Sequence, residues 1–224
     1  MNTNNKNKII ENNEFKIYQD TKKESYFIIE FNEPSKSLIN SLIKTKILLG
    51  ASSSDDYTSI FFTSYTIETL EQFKNKNKKI NNTTRMTYNN ALQMTETLSK
   101  QLNYLIINEY KSFYAYNTEN IIVINESIFI YLSNDDLLFI NSDTQKIEIT
   151  FPFSKKSKTL FISPELSEIN TLPCNIHYKT IYYSLSSLII NLLQDEKTIY
   201  NTKLYFLLMR CLDEEIENRS ILFI

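Results

Sequence analysis

An α+β fold, with strands gathered early in the chain and long helices late, is predicted by three features of the sequence. Short runs of β-branched and aromatic residues occupy 15–18, 26–31 and 58–62. Apolar residues recur at spacings of three and four over 88–107. Two further apolar stretches with helical periodicity cover 180–193 and 202–212. A chain of 224 residues can bury one core, or a small lobe packed on a larger one.

Each element follows from local composition. Residues 1–13 are rich in Asn and Lys and predict a disordered tail. Residues 15–18 and 26–31 form a hairpin around the charged turn 19–24. A helix over 35–49 places Leu38, Leu42, Ile43 and Ile47 near one face, and the polar residues 51–56 end it. A strand at 58–62 and a short helix at 67–73 follow. The polar, basic run 74–85 (KNKNKKINNTTR) reads as an exposed connection; it lacks the interleaved aromatics of a nucleic-acid surface. The division is thus 1–13, 14–78 and 79–224. In the helix over 88–107, Ala91, Met94, Leu98, Leu102 and Leu105 draw one apolar stripe. Strands at 121–124 and 127–132 then meet at Asn125 and Glu126. Residues 134–154 are mixed, with Ile147, Ile149 and Phe151 alternating.

Composition excludes several activities. The single glycine, Gly50, leaves no means of building a glycine-rich phosphate loop, which needs several positions of positive φ and close backbone approach. His177 is the sole histidine, and Cys174 and Cys211 have no partner at ligand spacing, so a metal centre or a His-dependent triad has no motif. The net charge of -2 gives no general attraction to nucleic acid or anionic membrane. With two cysteines, no apolar leader and no membrane-length apolar run, the expectation is an intracellular, cytoplasmic protein without nucleic-acid or membrane partners.

One segment goes further. Residues 113–123 read FYAYNTENIIV, which resembles the catalytic loop of protein kinases, His-Arg-Asp-Leu-Lys-Pro-Glu-Asn-Ile-Leu-Val. Four other landmarks lie in kinase order: the helix before the loop, the hairpin after it, Ser163-Pro164-Glu165 in place of Ala-Pro-Glu, and Tyr182-Tyr183-Ser184-Leu185 in place of the start of the buried helix αF. Cys211-Leu212-Asp213, with Arg219, is similar to the family's close. The resemblance implies a reduced two-lobed kinase-like fold, of the type found in large AT-rich DNA viruses, with a host-cytoplasmic setting if so. It also implies an ion pair between Glu165 and Arg219, a bidentate fork suited to a buried tie.

What departs from the pattern implies a lost activity. The catalytic aspartate falls on Ala115, the phosphate-contacting lysine on Asn117, and the aspartate that braces the loop on Ile181. A loop with no catalytic geometry to hold is expected to dispense with that brace. The metal-binding Asp-Phe-Gly falls near Asn134, followed by Asp135 and Asp136 without glycine. An amide oxygen is a poor magnesium ligand beside a carboxylate. No lysine stands in 26–31 to anchor ATP.

The resemblance therefore implies a pseudokinase: a protein-binding or regulatory module with no cofactor and an unidentified protein partner. An atypical kinase or nucleotide-binding protein would recruit Asn120 with Asp135 or Asp136, or Glu119, for magnesium and ATP. An unrelated α/β interaction protein would leave Glu165 and Arg219 far apart. Residues 153–159 (FSKKSKT) lie where an activation segment carries phosphosites, and read otherwise as a solvated basic loop.

Overall fold

The computed structural model describes residues 6–81, 85–193 and 196–221. In chain order the elements are β1 (Lys6–Glu11), β2 (Phe15–Asp20), β3 (Tyr26–Phe31), α1 (Lys36–Lys44), β4 (Ser52–Ser53), β5 (Ser59–Thr63), β6 (Ile67–Thr69) and α2 (Leu70–Asn81). Next come α3 (Tyr88–Glu109), β7 (Lys111–Phe113), β8 (Tyr116–Asn117), β9 (Ile121–Ile124), β10 (Ile128–Tyr131), β11 (Leu137–Asn141) and β12 (Lys146–Ile149). The chain continues through β13 (Leu160–Phe161), α4 (Pro164–Glu168), β14 (Cys174–His177), α5 (Thr180–Leu192) and α6 (Lys203–Cys211). The fold is α+β, with every paired strand of its four small sheets antiparallel.

The first sheet has the order β1-β2-β3-β5-β4. Its β2 and β3 strands bury Phe15, Ile17, Phe27, Ile29 and Phe31 at the two-residue period of one strand face, and β3 buries Ile28 as well. Helix α1 buries Leu38, Ile39 and Leu42 and packs against α3. Strand β6 lies in a second sheet of order β10-β9-β6, which carries the chain from the first sheet into the rest of the molecule.

Helix α3 is the central strut. Thr87 caps its start by accepting from the Asn90 N–H, and Tyr110 ends it in the left-handed conformation at φ 51°. Its stripe of Ala91, Met94, Leu98, Leu102 and Leu105 is buried throughout. Strand β10 is an edge strand, and α3 satisfies that edge with side chains. The Phe129 N–H donates to Thr97 Oγ1 at 3.2 Å, while Gln101 accepts from the Tyr131 N–H at 3.0 Å and donates to the Tyr131 carbonyl at 2.8 Å. One buried amide thus stands in for a neighbouring strand.

The apolar interior forms two bodies. The larger runs from Ile10 through α1, α3, α5 and α6 to Cys211. The smaller gathers Tyr114, Ala115, Ile140, Ile147, Ile149, Leu166 and Ile176 around the sheet of β14, β12, β11 and β7.

Four expectations are corrected. Residues 6–11, placed in a disordered tail, form β1 and pair with β2 from Lys6 opposite Asp20 to Glu11 opposite Lys16; residues 1–5 lie outside the described residues. Residues 67–73 are not one short helix: 67–69 pair with β9 as β6, and α2 begins at Leu70. That helix then continues through the supposed connection to Asn81, supported early by Glu71 with Lys74 at i,i+3; 82–84 lie outside the described residues. The helix over 35–49 stops at Lys44, and the chain turns at Lys46 in a positive-φ conformation.

Candidate functional site

The tip of the β1–β2 hairpin is built by Asn12, whose side-chain oxygen accepts from the Glu14 and Phe15 N–H groups, both at 2.9 Å, an Asx turn that aims Glu14 inward. Its carboxylate crosses to the segment after β10. One oxygen accepts from Ser133 Oγ at 2.8 Å and from Asn120 Nδ2 at 3.3 Å; the other accepts from the Asn134 N–H at 2.6 Å and the Asp135 N–H at 3.1 Å. Burial raises the Glu14 carboxyl above the usual carboxylate range, against the pull of these donors, and the nearby Asp136 charge adds to the rise.

Asn120 belongs to the same cluster. Its side-chain oxygen accepts from Asn12 Nδ2 at 3.1 Å, so both ends of the amide are committed to the hairpin tip. Asn134 and Asp135 meet Glu14 through their backbones. Asp136 borders the same amide: its carboxylate accepts from the Tyr131 hydroxyl and is held down by the Asn120 side chain, its N–H donates to Ser133 Oγ at 3.1 Å, and burial raises its carboxyl on balance. The Tyr131 hydroxyl in turn accepts from the Asn117 N–H at 3.1 Å. Asn117 caps the turn at Thr118–Asn120 by accepting from the Glu119 N–H.

Ala115 contributes no side chain to this cluster. It is wholly buried in the smaller core, next in sequence to Tyr114, whose ring contacts Phe151 and Phe153 edge-on or tilted. The loop around it is braced, contrary to expectation, though by a different residue. Ser184 Oγ on α5 accepts from the Tyr116 N–H at 2.7 Å and donates to the Phe161 carbonyl, while Ile181 is simply core. A backbone N–H buried at this point needs a partner whether or not the loop performs chemistry.

Arg219 is fully buried and reaches Glu165 in a two-pronged fork, Nη1 to Oε1 at 2.6 Å and Nη2 to Oε2 at 3.2 Å. Its Nε donates to the Asp213 carbonyl at 2.8 Å, and the guanidinium lies 5.1 Å from the Tyr183 ring centre. Burial acts to raise the Glu165 carboxyl, but the Arg219 hydrogen bonds and charge outweigh it and hold it below the ordinary range. His177 lies outside the cluster: its Nδ1 accepts from the Lys179 N–H at 3.1 Å, and burial lowers its pKa.

Two small cavities flank Glu14, each of roughly 200 Å³. Both are lined by Asn and acidic side chains, the first with Glu33 and Ser35 and the second with Glu119, and among the described residues by no lysine or arginine. Among the described residues no group of three or more His, Cys, Asp or Glu is arranged to hold a metal ion, and no helix is long and apolar enough to cross a membrane.

Sequence reasoning missed Glu14, Ser133 and Ser184. The signal for Glu14 lies in Asn12-Asn13, turn-forming residues just before an alternating strand, within a run whose composition alone reads as a tail. In comparison with known proteins, no family model matches the chain and no curated protein is similar to it.

Proposed function

We propose that this chain is a reduced protein-kinase-like module that works by binding another protein and does not transfer phosphoryl groups. The architecture supports the kinship: a small antiparallel sheet with one packed helix, then a long helix, a loop, a tight hairpin and the Glu165–Arg219 fork, in that order. The fork ties residues 54 positions apart in the sequence, which coincidental fragments have no reason to do.

The observation that carries the functional reading is the state of the Glu14–Asn120 cluster. Asn120, the one metal-ligating residue retained from the family's loop, spends its amide on Asn12 and Glu14, while the position of the catalytic base lies inside an apolar core. A magnesium nucleotide does not fit these residues. Its polyphosphate would enter cavities lined with Glu14, Glu119 and Asp135 and meet no cation there. The alternative of an atypical kinase asks Asp135 or Asp136 to hold metal, and Asp136 is turned toward Tyr131.

Thermal denaturation with ATP and magnesium tests the reading. A ligand bound only by the folded state raises the melting temperature by mass action, and no rise is expected here. Transfer of γ-phosphate to a generic protein substrate, abolished by removing Asp135 or Asp136, would overturn the proposal in favour of the atypical enzyme.

A further inference from the structure

The contacts of Glu14 carry a meaning separate from the family reading and do not depend on it. Four donors from two stretches of chain converge on one carboxylate: the Ser133 hydroxyl, two successive backbone N–H groups at 134 and 135, and the Asn120 amide. Successive N–H groups facing one point form an anion-receiving concavity. The two pairs divide between the two oxygens, a geometry matched to the flat, two-pronged end of a carboxylate. Asp135 and Asp136 stand alongside, so a dianionic phosphate would meet more repulsion than a single negative charge does.

We propose that the 133–135 turn with Asn120 is a carboxylate-binding site that Glu14 fills in cis, which makes the Glu14 side chain a latch that an acidic side chain of a binding partner can replace. The exchange asks only the Glu14 side chain to swing out, since β2 stays paired with β3 and Phe15 and Ile17 stay buried. Strand β1 is an edge of the sheet with mostly polar side chains, and the hairpin tip meets the turn through the side chains of Asn12 and Glu14. No bond is made or broken in the exchange beyond hydrogen bonds, and one carboxylate replaces another.

Formate and acetate serve as probes on the full chain. Glu14→Ala is expected to melt a few degrees below the wild type, and the small carboxylates are expected to restore part of that loss, beyond the effect of chloride or phosphate at matched ionic strength. The wild type, whose site is filled, should respond no more than it does to chloride. Glu14→Gln keeps the bulk while giving the donors an amide; it should be insensitive to formate. Amide exchange at 134 and 135 supplies a second readout, slow in the wild type, fast in Glu14→Ala, and slowed again by formate. An equal response to all anions, a formate response in Glu14→Gln, or unchanged exchange at 134 and 135 in Glu14→Ala would each overturn the proposal.

Discussion

Arg219 shows how much one side chain can hold. The guanidinium is fully buried, with Glu165 and the carbonyls of Asp213 and Glu214 as its acceptors, so it joins α4 to the last turn of the chain. Glu165→Gln leaves that charge without a counter-ion, and a loss on the order of 3 kcal/mol is expected, read as a lower midpoint in urea. The pH dependence follows from the direction of the shift. A carboxyl held below its unfolded value of about 4.3 contributes stability that is complete above that value and disappears as pH falls through the folded pKa. Glu165→Gln should therefore flatten the acid limb of the stability profile as well as lower it. If the profile keeps the wild-type slope below pH 4.3, the pair is not the source of that slope.

At the scale of elements, what the sequence made legible was what a single face of periodic residues decides. The stripe on α3, the apolar run of α5 and the hairpin of β9 and β10 all stand within two residues of expectation. Asn125 and Glu126 take positive φ at 52° and 58°, the pattern of a primed hairpin turn, and Asn125 also accepts from Ser64 and from the Tyr65 and Thr66 N–H groups. What stayed hidden was decided by partners distant in sequence. Strand β1 is polar and becomes a strand only because β2 offers it a ladder, and β6 is specified by β9 some 55 positions later, Ile67 lying opposite Ile124. The candidate site shares this division: Asn120, Asn134 and Asp135 could be placed from a local motif, whereas Glu14 reaches them across more than 100 positions. Gln101 belongs with the hidden group, since nothing in a helical stripe announces an amide that finishes a sheet edge. Gln101→Ala strands the Tyr131 N–H and carbonyl; a cost of about 1–3 kcal/mol is expected, with Tyr131 losing protection in hydrogen exchange.

At the scale of the molecule, the early sheet is more complete than a disordered leader would allow. Deleting residues 1–13 removes β1, the buried Ile10 and the Asn12 turn that presents β2. A clear fall in melting temperature and exposure of the Phe15 side of the sheet to a hydrophobic dye are expected. An unchanged melting curve would show that the hairpin contributes nothing to the fold.

The packing of Ala115 has a consequence for any attempt to arm this protein. Ala115 is fully buried in one cluster with Ile147, Ile149 and Leu166, so Ala115→Asp delivers a carboxylate to an oily interior, where an unpaired charge is severely penalised or stays protonated. The expected variant is a weakened fold with no gain in phosphoryl transfer, measurable by denaturation and a radiolabel assay side by side. Seating a charged side chain here would take the prior excavation of a whole apolar cluster, a barrier that no one-codon change removes.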